Sequence, residues 1–553
     1  MYIYDEVDSR IVKERVAQFQ GQTDRYFAGT LAADEYLPLR LQNGLYVQRH
    51  APMLRVAIPY GMINSTQLRK LAQLSRDFDK GYVHFTTRQN VQFNWPEIKD
   101  VPEMLRQLAD VEMHAIQTSG NCIRNTTTDQ FAGVIDDEVV DPRPYCEIIR
   151  QWSTLHPEYA FLPRKFKIAV NACPSADRAA IAVHDIGLEI VKNAEGQVGF
   201  KVFVGGGLGR TPLIGSLIND FVAEKDLLTY LEAILRVYNR HGRRDNKYKA
   251  RIKILVKALT PAVFKEKVEA EWAFLKDSEN QLTEQEISRV KAFFTAPAYE
   301  NLERNCAEFV AAQEESKGFA NWIKRCTNDH KVDGYRIVTL TLKKTGIPPG
   351  DATDRQVDIV ADLADRYSFG EVRVTHDQNL VLADVREDQL HALWKETQAV
   401  GFATPNLGML TDMICCPGGD FCGLANAKSI PVAEQIQLTF DNMDYLYDLG
   451  EIDLNISGCM NACGHHHVGN IGVLGVDKRG QEFYQVSLGG DSGRDASIGK
   501  ILGPSFARAD MPNVITKLID VFVENRSEDE LFIDTYRRIG MDPFKERVYA
   551  KAD

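Results

Sequence analysis

The chain has 553 residues, 44% of them hydrophobic and 26% charged, which is typical of a globular protein of about three to four domains. Its formal net charge of −12 argues against a nucleic-acid binder, because phosphate recognition needs a positive footprint. No run approaches the roughly 18 apolar residues of a membrane span, and the N-terminal MYIYDEVDSR lacks the basic and apolar regions of a secretory signal. We therefore expect a cytoplasmic protein without membrane or nucleic-acid partners.

The first predicted elements after an N-terminal extension occur again in the second half of the chain. Each set consists of a strand, an amphipathic helix with apolar residues three and four apart, and a segment in which Gly, Val, Thr, Gln and Asn recur in register. The first set is LRVAI (54–58), STQLRKLAQLSRDF (65–78) and GYVHFTTRQNVQFNW (81–95), and the second is RIVTLTL (336–342), DRQVDIVADLADRY (354–367) and GEVRVTHDQNLVLAD (370–384).

A second pair of matching segments follows each of these sets at a nearly equal offset. VHDIGLEIV (183–191) matches VGNIGVLGV (468–476), and VGGGLGR (204–210) matches LGGDSGR (488–494). The order A-B-A′-B′ predicts an α+β fold made by duplication, with the halves packed about a pseudo-twofold axis. Because ligand sites favour interfaces between domains, we expect a site that draws residues from both halves.

Five of the ten cysteines cluster in CCPGGDFC (415–422) and CMNAC (459–463). Four thiolates suit either tetrahedral zinc or an iron–sulfur cluster. The first gap of five residues is awkward for the short knuckles of structural zinc, whereas the irons of a cubane cluster can be reached from more widely spaced loops. The candidate ligands, in the pattern C-x5-C and C-x3-C, are Cys416, Cys422, Cys459 and Cys463, with Cys415 as a structural neighbour.

This pattern, with ISGCMNACGHHH (456–467), resembles the sirohaem-dependent sulfite and nitrite reductases over nearly the whole chain. The resemblance is strongest to the haemoprotein (beta) component of assimilatory sulfite reductase. It implies that the four cysteines hold a [4Fe–4S] cluster and that Cys463 also bridges this cluster to the sirohaem iron. We expect the three histidines to pack and form hydrogen bonds near the cofactor rather than to bind metal: His465, His466 and His467.

The resemblance also specifies the fold as duplicated ferredoxin-like and sirohaem-binding α/β modules around the pseudo-twofold axis. The predicted domains are an N-terminal extension (1–50), a first ferredoxin-like repeat (51–115), a first sirohaem- and substrate-binding module (116–275), a helical connection (276–330), a second ferredoxin-like repeat (331–402) and a second module for the cluster and sirohaem (403–553).

Four basic residues lie in motifs that match the family: Arg55 in MLRVAIPYG, Arg124 in SGNCIRN, and Lys165 with Lys167 in LPRKFK. The resemblance implies that they surround the open face of the sirohaem and bind the substrate. Reduction of a small anion beside a macrocycle that carries carboxylates requires concentrated positive charge. We assign the arginines to orientation and charge stabilisation, and the lysines to anion binding and proton delivery, because a lysine pKa can shift enough for proton donation.

The segment TTRQNVQ (86–92) resembles the family segment that holds the carboxylates of the macrocycle. The chain departs from the family pattern at His84, where relatives carry an arginine and the second repeat has Arg373. One carboxylate contact is therefore missing, or is made by a histidine whose charge depends on pH. Besides Cys463, the predicted sirohaem contacts are Thr86, Arg88, Gln92, Arg210, Gln378, Asn379 and Arg494.

The pair Lys165 and Lys167 favours sulfite as the substrate, because plant-type nitrite reductases of the family tend to have asparagine at the second position. A dianion also asks for more positive charge than nitrite does. The electrons must come from a partner, either a flavoprotein subunit or a ferredoxin-like donor. The alternatives are a ferredoxin-dependent nitrite reductase and, in another class, a non-catalytic zinc- or cluster-binding interaction protein.

The strongest basic run, RHGRRDNKYKARIKILVK (240–257), is open to three interpretations. The simplest is a charged, solvated face. The others are a docking surface for an acidic electron donor and a nucleic-acid patch.

Overall fold

The computed structural model describes residues 1–550 and begins with two helices, α1 (Glu6–Phe27) and α2 (Ala33–Gln42). The side chain of Asp5 caps α1 by accepting a hydrogen bond from the N–H group of Val7 at 2.8 Å. No helix among the described residues is both long and apolar enough to cross a membrane.

The first half continues with a ferredoxin-like repeat and then with a sheet covered by helices. The repeat consists of β1 (Leu45–Val47), β2 (Pro52–Val56), β3 (Met62–Asn64), α3 (Ser65–Phe78), β4 (Tyr82–Phe85), β5 (Val91–Phe93) and α4 (Val101–Ala109). The module after it consists of β6 (Thr127–Thr128), α5 (Arg143–Ser153), β7 (Ile168–Asn171), β8 (Ile186–Lys192), β9 (Val198–Val204), β10 (Ser216–Ala223), α6 (Leu227–His241), α7 (Ile252–Leu259) and α8 (Pro261–Leu275).

The second half follows three connecting helices and has the same order of elements. The connection consists of α9 (Glu284–Lys291), α10 (Ala307–Glu315) and α11 (Lys317–Cys326). The second repeat consists of β11 (Thr327–Asp329), β12 (Tyr335–Leu340), β13 (Asp351–Thr353), α12 (Asp354–Tyr367), β14 (Glu371–Val374), β15 (Leu380–Arg386) and α13 (Leu390–Val400). The last module consists of β16 (Ile414–Cys415), α14 (Gly418–Phe421), α15 (Ile430–Thr439), α16 (Met443–Leu449), β17 (Leu454–Ser457), β18 (Ile471–Lys478), β19 (Gln481–Leu488), β20 (Lys500–Ile501), β21 (Phe506–Ala507), α17 (Met511–Asn525), α18 (Phe532–Ile539) and α19 (Asp542–Tyr549).

The two ferredoxin-like repeats exchange one strand each. β3 of the first repeat pairs with β14 of the second, and β13 of the second pairs with β4 of the first. The resulting five-stranded sheets have the orders β1-β2-β5-β4-β13 and β11-β12-β15-β14-β3. Neither sheet is complete without a strand from the other half, as expected for halves related by a pseudo-twofold axis.

The predicted helices 65–78 and 354–367 are found with these limits as α3 and α12. Each begins with a capping box, in which two side chains three residues apart each accept a hydrogen bond from the other residue's N–H group. The pairs are Asn64 with Gln67 and Thr353 with Gln356. The same local signal therefore starts both copies of the helix.

The two repeats share one hydrophobic core, in which Leu71 of α3 and Val360 of α12 are fully buried. Arg69 of α3 forms ion pairs with Asp362 and Asp365 of α12, both at 2.7 Å. Each of the two modules that follow the repeats has a separate hydrophobic core.

The sheets of the two modules have the same strand directions. β6, β7 and β8 run parallel and β9 returns antiparallel, just as β16, β17 and β18 run parallel and β19 returns antiparallel. The predicted α+β fold with the order A-B-A′-B′ is therefore confirmed. Lys167 directly precedes β7, and Cys459 follows β17.

Candidate active site

The arginines of the predicted cationic site are held by amide and carbonyl oxygens rather than by carboxylates. Arg55 of β2 lies opposite Gln92 of β5, and its Nε and Nη2 both donate to Gln92 Oε1, at 2.9 and 2.7 Å. Its Nη1 donates to the carbonyl oxygen of Thr118 at 3.3 Å. Nη1 of Arg124 donates to this same oxygen at 2.8 Å. The structure thus brings the two guanidinium groups together at one backbone carbonyl.

Lys165 and Lys167 line the same recess and are half-buried in it. Removal from water lowers the pKa of Lys165 to about 8, an effect that the charge of Cys463 opposes and that of Arg124 increases. Removal from water also lowers the pKa of Lys167, and the nearby charge of Arg88 lowers it further. These mutual effects show that the two lysines, Arg124 and the Cys463 thiol lie close together. Arg55 joins them through the carbonyl oxygen of Thr118, which it shares with Arg124.

Arg88 approaches the recess from the loop between β4 and β5. Its Nη1 donates to Thr127 Oγ1 at 3.0 Å and also contacts the ring of His184, while its Nη2 donates to the carbonyl oxygen of Asn125 at 2.5 Å. Thr86 shapes this loop, because its Oγ1 accepts the N–H of Arg88 at 3.3 Å. Arg88 is therefore held in place without a carboxylate partner among residues 1–550.

Sequence reasoning missed two cations of the recess, Arg251 and Lys253. Nη2 of Arg251 forms an ion pair with both carboxylate oxygens of Asp185, at 2.7 and 2.8 Å. Lys253 is buried, and its Nζ donates to the carbonyl oxygen of Leu208 at 2.6 Å. Asp185 also accepts the N–H of Lys167 at 2.9 Å, so a carboxylate does lie among these cations.

The basic run 240–257 is consequently divided between two environments. Its first part is exposed, and there Nε of Arg243 donates to Asp245 at 3.0 Å. Its last part contains the inward-pointing Arg251 and Lys253. The signal that separates the two is the alternation of basic and apolar residues in ARIKIL, which RHGRRD lacks.

The four predicted ligand cysteines lie on two adjacent loops, before and after α14 and after β17. Burial raises the pKa of Cys416 to about 12, that of Cys459 to about 11 and that of Cys422 as well, and the charge of Cys463 adds to all three shifts. Cys463 is therefore near each of the others. Four thiolates so close together are unfavourable unless metal ions compensate their charge, as iron does in a cluster.

Two further observations fit an iron–sulfur cluster at these cysteines. The N–H of Gly458 donates to Cys416 Sγ at 3.2 Å, and hydrogen bonds to the sulfurs are among the interactions that tune such clusters. Ser429 Oγ lies 3.5 Å from the same sulfur. The cysteine loop also adjoins the first repeat, because Thr87 Oγ1 donates to the carbonyl oxygen of Cys463 at 3.0 Å.

The predicted sirohaem contacts of the second repeat make their hydrogen bonds inside the protein. Gln378 accepts the N–H of Cys415 at 2.9 Å and donates to the carbonyl oxygen of Phe85 at 3.1 Å. Asn379 donates to Asp412 at 3.0 Å and is fully buried. Their roles toward the cofactor stay predictions, and what the structure adds is that Gln378 connects the first repeat to the cysteine loop.

The two predicted arginines of the glycine-rich loops are in different surroundings. Nη1 of Arg494 forms an ion pair with Glu189 at 2.6 Å, which connects the second module to the first. Arg210 is exposed, and its guanidinium lies 5.9 Å from the ring of Tyr248. Their contacts with the carboxylates of sirohaem also stay predictions.

His84, where the chain departs from the family pattern, is used within the protein. Its Nδ1 lies 2.7 Å from Asp351 Oδ1, across the exchanged strand pair, and its Nε2 lies 3.1 Å from the amide nitrogen of Gln378. Both ring nitrogens are therefore occupied. Arg373, the counterpart in the second repeat, is also buried and donates to the carbonyl oxygen of Ala132 at 2.5 Å.

The three histidines after Cys463 are enclosed by the protein, and burial lowers the pKa of each. His467 Nε2 lies 2.9 Å from the carbonyl oxygen of Gly209, in the glycine-rich loop of the other half. Both ring nitrogens of His466 are buried without a hydrogen-bond partner among the described residues. His466 thus has a polar edge that a bound group could satisfy.

The fold and the site together define a class of protein. Two related halves bring a set of four cysteines next to a recess lined with cations, which is the arrangement that a redox enzyme for a small anion requires.

Comparison with family models makes the identification specific. The model described as "Nitrite and sulphite reductase 4Fe-4S domain" matches residues 119–275 and 409–553. The model described as "Nitrite/Sulfite reductase ferredoxin-like half domain" matches residues 46–111 and 333–400. The chain therefore belongs to the nitrite and sulfite reductase family, whose members are sirohaem-dependent oxidoreductases with a [4Fe–4S] cluster. The resemblance to this family stated from the sequence is confirmed, whereas the particular likeness to the haemoprotein (beta) component stays a prediction.

Individual relatives agree with this assignment. The chain is 28% identical to an assimilatory ferredoxin-dependent nitrite reductase of Haloferax mediterranei, over 89% of this chain and 83% of the relative. It is also 28% identical to a sulfite reductase [ferredoxin] of Mycobacterium tuberculosis, over 87% and 81% of the two chains. The solved structure of the Mycobacterium tuberculosis NirA protein superposes with a TM-score of 0.77 at 26% identity, covering 93% of this chain and 92% of that one.

Proposed function

We propose that this protein reduces sulfite to sulfide in a six-electron reaction and that a ferredoxin-type protein supplies the electrons. The observation that carries the proposal is the charge of the recess. Among residues 1–550, none of the four predicted substrate-binding cations forms an ion pair with a carboxylate: Arg55, Arg124, Lys165 and Lys167. Uncompensated positive charge in a region of low dielectric constant attracts a dianion more strongly than a monoanion.

The arginines are suited to holding and orienting the anion. Gln92 and the carbonyl oxygen of Thr118 fix the guanidinium of Arg55, and Thr118 also fixes that of Arg124. Their positive charge is therefore in place before the substrate binds, and no reorganisation is needed as negative charge develops during the reaction.

The lysines are suited to supplying protons. Each oxygen that leaves the substrate needs two protons to depart as water. Lys165, with a pKa lowered to about 8, is mostly protonated at neutral pH and releases a proton more readily than an ordinary lysine. The pKa of Lys167 is also lowered, so a bound anion beside it favours its protonated form and couples substrate binding to proton uptake.

The residues of the two halves would hold the cofactors of the family. The sirohaem would place its carboxylates among the recess cations, including Arg88 and Lys253, and the buried Oγ of Ser119 and the ring of His466 offer further polar groups without partners in the described chain. When bound, the two cofactors would carry the electrons from the donor and supply the iron at which the anion is reduced. The proposed cluster ligands are Cys416, Cys422, Cys459 and Cys463.

Nitrite is the second candidate substrate. At 28% identity the relatives include the nitrite reductase of Haloferax mediterranei and a chloroplastic ferredoxin–nitrite reductase of Arabidopsis thaliana, as well as sulfite reductases. Sequence similarity alone therefore does not choose between the anions. The second lysine of the recess, Lys167, favours sulfite, because it adds a positive charge that a monoanion does not need.

The names of these relatives favour ferredoxin over a flavoprotein subunit as the donor. The Haloferax and Mycobacterium enzymes are both described by their dependence on ferredoxin, and both align over most of this chain. A ferredoxin-type protein delivers single electrons, which suits a site that must collect them one after another.

The test is steady-state kinetics on cofactor-replete protein, with each anion in turn and with a reduced viologen as a donor that needs no docking. We expect a higher kcat/KM for sulfite than for nitrite, and faster sulfite reduction with reduced ferredoxin than with a reduced flavoprotein. A higher kcat/KM for nitrite would assign the protein to the second candidate.

A further inference from the structure

One carboxylate lies inside the cationic recess and contacts two of its basic residues. Asp185 lies directly before β8 and is fully buried. Its two carboxylate oxygens accept hydrogen bonds from Nη2 of Arg251, at 2.7 and 2.8 Å. Its Oδ2 also accepts the N–H of Lys167 at 2.9 Å. Asp185 therefore joins the segment that carries a lysine of the recess to the arginine that lies directly before α7.

The second half of the chain has the same backbone arrangement with different side chains. Asp453 directly precedes β17 as Lys167 precedes β7, and Asn470 occupies the place before β18. The N–H of Asp453 donates to Asn470 Oδ1 at 3.0 Å, which reproduces the backbone contact of the first half. Nδ2 of Asn470 donates to the carbonyl oxygen of Gly490 at 3.1 Å. An amide can therefore make this contact, and the negative charge of Asp185 is not needed for it.

The arginine is also specific to the first half. Arg251 lies directly before α7, and Leu531 lies directly before α18. These two helices are equivalent, because the matching glycines Gly205 and Gly489 pack against α7 and α18 respectively. A lysine, an aspartate and an arginine of the first half thus correspond to an aspartate, an asparagine and a leucine of the second. Since both halves have the same arrangement of elements, the three charges of the first half are not a requirement of the fold.

Asp185 opposes the effect that the other charges of the recess have on Lys167. Removal from water has the largest effect and lowers the pKa of Lys167, and three nearby cations lower it further: Arg88, Arg251 and Lys165. Asp185 acts in the opposite direction and raises this pKa. Burial and the surrounding positive charge lower the pKa of two imidazoles that also face Lys167, which are therefore neutral above the acid range: His184 and His465.

We propose that Asp185 is a positioning residue for the reaction, which fixes Arg251 at the recess and supplies a counter-charge for Lys167; this rests on the proposed function. Asp185 forms its ion pair with Arg251 and reaches Lys167 through the backbone N–H, so the ammonium group of Lys167 is left to the anion. The carboxylate thereby keeps Lys167 charged in a region that is crowded with positive groups.

Two variants should change the protonation of Lys167 in opposite directions. Asp185→Asn removes the negative charge and keeps an acceptor for the N–H of Lys167, as Asn470 does in the second half. Because a nearby opposite charge shifts a pKa by about 1–3 units, the alkaline limb of kcat/KM against pH should move to lower pH by about one unit. The kcat/KM of Asp185→Asn should fall about tenfold on the alkaline side of this limb and little on the acid side.

Arg251→Gln should move the same limb to higher pH, because it removes a positive charge that lowers the pKa of Lys167 and leaves Asp185 without its partner. Arg251→Lys keeps a positive partner for Asp185 and should keep the limb near its wild-type position. The matched control is Asp141→Asn, the same replacement at a carboxylate that pairs with Arg143, and it should leave the limb unchanged.

The profiles are measured on cofactor-replete protein with reduced viologen as donor, and with nitrite as well as sulfite, because nitrite stays a monoanion across the neutral and alkaline range. Equal loss of kcat/KM at every pH in Asp185→Asn would indicate a structural role and overturn the proposal. An unmoved limb in Asp185→Asn, or limbs that move in the same direction in Asp185→Asn and Arg251→Gln, would also overturn it. A wild-type protein that reduces nitrite but not sulfite would overturn the proposed substrate, and the nitrite profiles would then decide the role of Asp185.

Discussion

Replacing Lys167 with asparagine should shift the preference of the enzyme from sulfite towards nitrite. The change removes the positive charge that Lys167 carries once an anion is bound beside it, and leaves Lys165, Arg55 and Arg124 in place. Two unit charges about 4 Å apart attract each other by about 4 kcal/mol at an effective dielectric constant of about 20. A charge-assisted hydrogen bond retains about 1.5–3 kcal/mol of net stabilisation. The sulfite dianion carries twice the charge of nitrite. The replacement should therefore cost sulfite about 1.5 kcal/mol more stabilisation than it costs nitrite, which corresponds to about tenfold in relative kcat/KM.

The assay is steady-state kinetics of Lys167→Asn with both anions, with reduced viologen as donor and at a pH where sulfite is mainly a dianion. Lys192→Asn, the same replacement at an exposed lysine at the end of β8, is the matched control and should leave the ratio of the two kcat/KM values unchanged. An unchanged ratio in Lys167→Asn, or a ratio that moves further towards sulfite, would refute the electrostatic reasoning.

Three other predictions concern the cluster, the exchanged strands and the supply of protons. Cys463→Ser should lower the amount of iron bound per chain and abolish turnover. The control Cys326→Ser, at a buried cysteine at the end of α11, should preserve both. Wild-type iron content in Cys463→Ser would contradict the role of Cys463 as a ligand. Asp351→Ala leaves Nδ1 of His84 without its partner and should destabilise the fold by about 1–3 kcal/mol, which would be measured as a lower Tm. An unchanged Tm would show that the pair of His84 and Asp351 does not stabilise the exchanged strands. For wild type, kcat/KM should fall as pH rises through about 8, because Lys165 then loses the proton that it must donate; a flat profile up to pH 10 would exclude it as the acid.

The limits of α3 and α12 could be predicted from the sequence because their signals are local. Apolar residues three and four apart mark the buried face, and the capping boxes at Asn64 and Thr353 fix the first turns. The exchange of β3 and β13 between the sheets could not be predicted in the same way. Each is only three residues long, and its partner lies in the other half of the chain, so its pairing depends on the packing of the two halves.

The residues of the candidate site that lie in family motifs could be predicted from the sequence. Those that only the tertiary structure brings to the site could not. Arg55, Arg124 and Lys165 lie in recognisable motifs, and the structure brings them together. Arg251 belongs to a run that looks like a surface stretch, and only the fold places it against the buried Asp185. His84 shows the opposite case, because a residue that departs from a cofactor motif proves to be held by a strand from the other half.

The most direct measurement is the number of electrons that the wild-type enzyme takes from reduced ferredoxin for each sulfide that it forms from sulfite. If one recess holds the anion, supplies its protons and lies beside the cluster cysteines, six electrons should be consumed per sulfide, and no partly reduced sulfur compound should be released. Sulfite that is consumed with fewer electrons per molecule, or that is not consumed at all, would contradict the proposed reaction.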